Sequence, residues 1–307
     1  LPPGAGGNAP PPPGNADFEV DPEAAERALE RTLTQTGNLL LPPGRIDLTP
    51  SASYTYTETD TGRTVIFADA DLDGQTESAI TDTLRFRRDE FETAVTARVG
   101  LPYDSQVEAR IPVTFARERV DQPLLQTSSE SSGFGLGNIG VAAAKTIIRE
   151  DGWVPDVIAR VNYDSGTGPN RSNGVLIDDD FHELGGSISL LKRQDPLAFT
   201  GNFEYRYAFA EDGVRPGALY GVGVGAFLAL SPETSLNMSL GASYRGETRF
   251  DGRPIEGSEQ RSATASFGIS SVLDKDVLLN FSVGVGLTED APDFSINLSL
   301  PVRLDLR

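Results

Sequence analysis

Four stretches of the chain carry residue types that do chemistry in other proteins. Asp69-Ala70-Asp71-Leu72-Asp73-Gly74 sets carboxylates at alternate positions ahead of a glycine, as the start of a calcium-binding loop does. Such a loop closes with a bidentate acid, but Ile80 stands at that place and only Glu77 is near enough to substitute. Asp69, Asp71 and Asp73 are thus candidate calcium ligands, and the plainer reading is a solvated acidic loop. His182, the single histidine, follows Asp178-Asp179-Asp180. A hydrolase would need a nucleophile held against that base, and no spacing supplies one. Gly133-Phe134-Gly135-Leu136-Gly137 and the glycines at 221, 223 and 225 look like phosphate loops, yet neither run leads into a helix. No catalytic residue and no resident cofactor is expected, so the chain reads as a non-enzyme.

Composition narrows the remaining classes. The 307 residues contain no cysteine, which excludes disulfides, thiol chemistry and lipid attachment at a cysteine. A net charge of −19 argues against nucleic acid, whose phosphates need a basic footprint, and biases any aqueous passage towards cations. Hydrophobic residues are only 38%, and no run approaches the ~18 apolar residues of a membrane helix. A transmembrane barrel has no such requirement, because only alternate residues of each strand meet lipid.

The elements that must position these residues show that alternation. Phe294, Ile296, Leu298, Leu300, Val302, Leu304 and Leu306 share one parity, and Asp293, Ser295, Asn297, Ser299, Arg303 and Asp305 the other. The dyad recurs from Ile46 onward in about twelve segments, an even number as bacterial single-chain barrels have. In the second segment Leu84 and Phe86 oppose the parity of Phe91 and Val95, which predicts a bulge near Arg88-Asp89. Connections alternate between short ones (near Pro102, Gly152, Asp195, Pro232 and Lys275) and longer polar ones (60–81, 121–134, 165–181, 211–216 and 251–259). Short periplasmic turns and long outer loops produce this pattern, placing both termini in the periplasm of a cell with an outer membrane. Trp153, beside a short turn, suits the interfacial belt.

Three parts follow: a Pro/Gly-rich linker over 1–20, a helix and Pro-Pro-Gly turn over 21–44, and an all-β transmembrane barrel over 45–307. Leu1 in first place is read as the result of leader removal. Asp21 suits the helix N-cap, Pro22 the first turn and Gly37 the stop. The stripe Ala25, Ala28, Leu29, Leu33 is too small to hold a helix alone, so it must dock.

Charges cannot face hydrocarbon cheaply, so the polar parity lines a lumen. Glu90, Glu92, Arg98, Glu108, Arg110, Glu204 and Arg206 fall there, with Arg45, Asp47 and Arg245. Gly221, Gly223, Gly225, Gly284 and Gly286 leave the wall bare and make room for an inserted element. The helix is the natural insert, with Glu23, Glu26, Arg27, Glu30 and Arg31 pairing with lumen residues such as Arg98, Arg110, Glu90 and Glu108 to seal and gate the pore.

These residues resemble the outer-membrane family grouped under the meta-pathway of phenol degradation, and within it the secretion pore of the Fap functional-amyloid system. The resemblance rests on Leu39-Leu40-Leu41-Pro42-Pro43-Gly44 running into Arg45-Ile46-Asp47-Leu48 and the Tyr54/Tyr56 strand. It also uses Asp82 to Arg88, the Gly100-Leu101-Pro102 turn, and Pro292-Asp293-Phe294 to Leu300-Pro301. It covers about residues 20 to 307 and implies a twelve-stranded barrel whose lumen, in the amyloid exporter, is plugged by the helix before the first strand.

The expected function is an outer-membrane pore, as a secretion conduit for a polypeptide gated by the plug helix. The alternatives are a channel for small aromatic or hydrophobic solutes, recognisable by an apolar path or lateral opening, and a non-transport barrel anchoring a larger envelope or surface complex. Expected partners are outer-membrane lipid and a polypeptide cargo or periplasmic or surface partner held by the N-terminal segment. Nucleic acid is excluded, and a homo-oligomer is compatible with the sequence.

Overall fold

The computed structural model describes residues 29–30, 32–34, 37, 39–68, 77–123 and 126–305. Alternating residues form the strands that their parity demands. They are β1 (Arg45–Ala68), β2 (Glu77–Leu101), β3 (Ser105–Gln122), β4 (Thr127–Leu136, resuming as Gly140–Ile148), β5 (Asp156–Asp164) and β6 (Glu183–Gln194). Then come β7 (Leu197–Ala208), β8 (Leu219–Ala229), β9 (Thr234–Arg245), β10 (Gln260–Asp274), β11 (Val277–Gly286) and β12 (Phe294–Ser299, resuming as Val302–Asp305). Each pairs antiparallel with its sequence neighbours, and β1 closes the ring against β12 from Arg45↔Asp305 to Tyr56↔Phe294. The result is a closed twelve-stranded barrel, in which β1 is paired on both sides up to Tyr56 and Thr127–Leu136 of β4 on one side.

The outward face is apolar, with Phe91, Val95, Ile111, Phe115, Val161, Ile188, Phe203, Val224 and Phe267 all exposed. Rings cluster near the long-loop end, where Phe294 packs 5.7 Å from Tyr54, and Tyr205 lies 5.2 Å from Tyr220. At the short-turn end Trp153 is 95% exposed and Tyr103 also projects, as an interfacial belt requires.

Two expectations are corrected here. No bulge interrupts β2 at Arg88-Asp89: its register is continuous with β1 from Ile46↔Val99 to Ala68↔Glu77, and with β3. Leu84 and Phe86 keep the parity of the inner face, on a part of the strand that has left the hydrocarbon. There the outward parity turns charged, with Glu58, Asp60, Arg85, Arg87, Arg119 and Asp121 cross-linked by Arg87–Glu58 at 3.1 Å and Arg85–Asp60 at 3.0 Å. The segments 60–81 and 121–134 are likewise mostly strand and not loop, because β1 to β4 continue as hairpins beyond the apolar band.

Candidate functional site in the barrel lumen

The lumen is occupied at the short-turn end by the segment that leads into β1. Leu29, Glu30 and Thr32–Thr34 are helical. The helix stops where Gly37, at φ +79°, donates its N–H to Thr34 O at 3.2 Å and Leu39 donates to Leu33 O at 2.9 Å. Leu29 (2% exposed) and Leu33 (0%) pack with Leu39 on a patch of Leu191, Ala198, Phe227 and Ala229. These four come from β6, β7 and β8 and face inward, opposite in parity to the outward Leu190, Phe199 and Val224. The charged lumen thus has an apolar floor. Its trace in the sequence is the adjacent pairs Leu190-Leu191, Ala198-Phe199 and Phe227-Leu228, where both parities are apolar.

Polar contacts finish the seat. Thr32 Oγ1 lies 2.7 Å from Ser235 Oγ. Arg98 donates from Nη1 to Thr34 O at 3.1 Å and from Nη2 to Asp47 Oδ1 at 3.2 Å. A guanidinium at the C-terminal end of a helix meets the negative end of its dipole. Leu41 N–H donates to Gln106 Oε1 at 3.0 Å, and Gly44 N–H to Gly100 O at 3.0 Å. A Cβ on Gly100 would stand 2.1 Å from Pro42 O, which explains why glycine opens the Gly100-Leu101-Pro102 turn. Between this segment and the rim lies a cavity of about 580 Å³ bordered by Glu30, Thr34, Arg149, Glu150 and Arg193.

Among the described residues the barrel charges form pairs with one another. Glu92 holds Arg110 at 2.5 Å, Glu108 holds Arg160 at 2.9 Å, and Glu90 holds Arg88 at 2.6 Å. Glu204 bonds Arg206, and Glu183 lies 3.3 Å from Arg245. Among the described residues, Arg98 of the expected lumen partners reaches the helix, with one contact to the backbone carbonyl of Thr34. Glu30 borders the cavity beside Arg193, whereas Glu23, Glu26, Arg27 and Arg31 lie outside the described residues. Arg88, Glu118, Arg160 and Glu183 were missed in the sequence, although the parity of Arg160 against Val161 and Tyr163 was readable.

At the long-loop end the connection 165–182 folds inward. Arg171–Ser172 pairs with Val175–Leu176 across Asn173-Gly174, both at positive φ (51° and 84°), as a tight two-residue hairpin requires. Val175 and Ile177 bury against the inward-facing Ala116 of β3. The backbone passes so close to β4 that a Cβ on Gly133 would lie 2.5 Å from Ser172 O, and one on Gly135 2.8 Å from Pro169. The glycine run 133–137 is therefore a bare wall for this hairpin. Gly221, Gly223, Gly225 and Gly284 do not play that part: their nearest neighbours are on adjacent strands, such as Glu204, Leu240, Thr200 and Ser295.

The aspartates beside His182 staple the same connection. Asp178 accepts from Asn138 N–H at 2.6 Å, the Asn138 amide reaches Asp179 O, and Asp180 accepts from Asn170 at 2.9 Å. Burial, then the neighbouring Glu183 and Asp178, push the Asp179 carboxyl up to about 6, with Arg245 opposing. His182 takes its Nδ1 contacts from Tyr163 Oη at 2.8 Å and Gly166 N at 3.2 Å. Asp69, Asp71 and Asp73 lie outside the described residues, and among those described no cluster of acids, histidines and cysteines is arranged to hold a metal.

One stretch of wall is incomplete. Thr127–Leu136 pairs with β3 only, and β5 begins its pairing with β4 below it, at Gly140↔Asp164. The hairpin covers this edge on the inside, where Asn173 donates to Ser132 O at 3.3 Å. Phe134, 65% exposed, and Leu136 still face outward beside the seam.

Solved structures share this architecture. A COG4313 outer-membrane channel from Pseudomonas putida F1 superposes with a TM-score of 0.64 over 87% of this chain and 97% of that one, at 16% identity. The fold is that of an outer-membrane channel. Weaker likenesses extend to the transport unit of the autotransporter AIDA-I from Escherichia coli (TM-score 0.49, 11% identity, 92% of this chain and 98% of that one). They also include the P. putida toluene transporter TodX (0.41, 8%, 89% and 92%). No family model matches the chain.

Proposed function

We propose that this outer-membrane channel fold conducts small solutes and rests closed, with residues 29–41 as its internal stopper at a periplasmic short-turn end. The observation that supports this best is the apolar seat of Leu29 and Leu33 on Leu191, Ala198, Phe227 and Ala229, inside an otherwise charged lumen. An anchoring barrel with no transport role would have no use for an apolar seat set into a charged lumen. The test is single-channel conductance in a planar bilayer for the full chain and for a variant lacking residues 1–37. A several-fold rise on deletion is expected, and unchanged conductance overturns the reading.

A second reading concerns the exit. The one-sided edge of Thr127–Leu136, beside exposed Phe134 and Leu136, favours small aromatic or hydrophobic solutes leaving sideways into the membrane. Flux of aromatic solutes into liposomes, compared with hydrophilic solutes of equal size, tests it; equal rates would remove it. Secretion of a polypeptide is the more demanding form, since stopper and hairpin must both withdraw. Co-expression with amyloid subunits, scored for export, tests that form and with it the kinship to the phenol meta-pathway barrels that the motifs at 39–48, 82–88, 100–102 and 292–301 support.

A further inference from the structure

The hairpin Arg171–Leu176 is held inside the barrel at points from three directions. Arg88 of β2 donates to Leu176 O at 2.8 Å while bonding Glu90 and Glu118, each at 2.6 Å. Asn138, at the break in β4, binds Asp178 and Asp179 on the returning limb, and its Oδ1 accepts from Gly168 N–H at 2.9 Å on the outgoing limb. Val175 and Ile177 fill the space over Ala116. The turn residues Asn173 and Gly174 are exposed, but the next residue, Val175, is fully buried against the inward-facing Ala116. The contacts are nevertheless local and mostly polar, with a single small apolar cluster, so the element is built to hold a position and to leave it.

We infer that this hairpin is the size-limiting constriction at the long-loop end, clamped by Arg88 and Asn138 and seated on the bare glycines of β4. The inference deepens the channel reading and rests on it for its purpose, but its geometry is tested without any solute crossing the barrel. It sets how large a molecule reaches the lumen from the long-loop face, and its displacement widens that access.

The chain has no cysteine, so one introduced thiol reports access cleanly. Ser282 faces the lumen at mid-height on β11 and lines a cavity of about 150 Å³ with Ser51, Asn280 and Asn297. Ser282→Cys in the full chain, in proteoliposomes, is treated with a small methanethiosulfonate and with a bulky maleimide. The experiment is repeated with residues 171–176 replaced by two glycines, with Gly133→Ala, and with Gly223→Ala as control. Gly133→Ala is the smallest possible wedge under the hairpin, whereas a Cβ at Gly223 meets nothing closer than 3.7 Å. The expected result is labelling by the small reagent in all variants. Labelling by the bulky reagent should rise about tenfold or more in the hairpin-replaced and Gly133→Ala proteins, as removal of an element displaced in ~10% or less of molecules would give. Equal labelling by the bulky reagent with the hairpin intact, or no gain when it is replaced, overturns the inference. Because labelling does not require passage through the floor, a barrel whose conductance does not rise when residues 1–37 are deleted would sink the channel reading and leave this result standing.

Discussion

Arg98 joins the barrel wall to the N-terminal segment: one guanidinium bonds Asp47 Oδ1 on β1 at 3.2 Å and Thr34 O at the end of the helix at 3.1 Å. The pair is directly cross-strand, Asp47↔Arg98, and both side chains are nearly excluded from solvent. A buried charge left without its partner costs about 3–5 kcal/mol, so neither half is dispensable. Arg98→Ala should release the C-terminal end of the helix and leave Asp47 uncompensated. The expected outcome is a higher open probability in planar bilayers together with a lower melting temperature. Arg98→Ala with Asp47→Asn should recover much of the stability but not the closed state.

The apolar floor gives a prediction that involves no charge. Truncating Leu33 to alanine removes a fully buried side chain, a loss of about 2–5 kcal/mol if the cavity does not collapse. Phe227→Ala removes the other side of the same contact. Each alone should raise conductance, and the double variant should add less than the sum, since both delete one interface. Strict additivity would mean that Leu33 and Phe227 do not share a seat.

Gly100→Ala tests the hinge between segment and barrel. The added methyl cannot coexist with Pro42 O at 2.1 Å, so the Leu39–Gly44 turn must lift. Protease cleavage within residues 39–44 should become fast in the variant while the barrel stays resistant. Cleavage as slow as in the parent chain would show that the turn relaxes without detaching.

The docked connection 165–182 should depend on pH in a defined direction. The Asp179 carboxyl is raised from 3.8 to about 6 by burial, facing Glu183, Asp178 and Asp164, with Arg245 as the opposing charge. An acid whose docked value is raised binds a proton on docking, so docking is undisturbed below the ordinary value and weakens as pH climbs from about 4 through about 6. Above that window the loss is complete and flat. Amide exchange at Ile177, whose N–H donates to Asn170 O, should therefore be better protected at about pH 4.5 than at about pH 7 after correction for intrinsic rates. Asp179→Asn should flatten the difference; a variant that keeps it assigns the titration elsewhere.

Parity made the barrel legible: Phe294 to Leu304, Phe199 to Phe209 and Tyr220 to Val224 could hardly be two-faced in any other setting. It failed where the strands leave the bilayer. Past Tyr56 on β1 and Arg87 on β2 the outward parity turns from apolar to charged, at Glu58, Asp60 and Arg85, so Leu84 and Phe86 read as a bulge. The N-terminal segment was legible as a helix that must dock, but its apolar partners were not, because charges mark the lumen parity. Leu191 and Phe227 lie on that parity, next to outward apolar residues, and an apolar pair reads as noise in a dyad. The hairpin could not be foreseen, since the fit of Ser172 to Gly133 depends on two connections meeting in space.

Among the described residues, Leu29 and Leu33 complete the larger of two apolar clusters inside the ring and cover Leu191 and Phe227. For the stopper proposed above, opening is then not a free swing of a hinge, because it wets four strand residues and two helix residues together. Thermal motion alone will seldom do this. Whatever opens the barrel has to bring work with it, by pulling on the chain ahead of Leu29 or by laying its own greasy surface on the patch that the helix vacates.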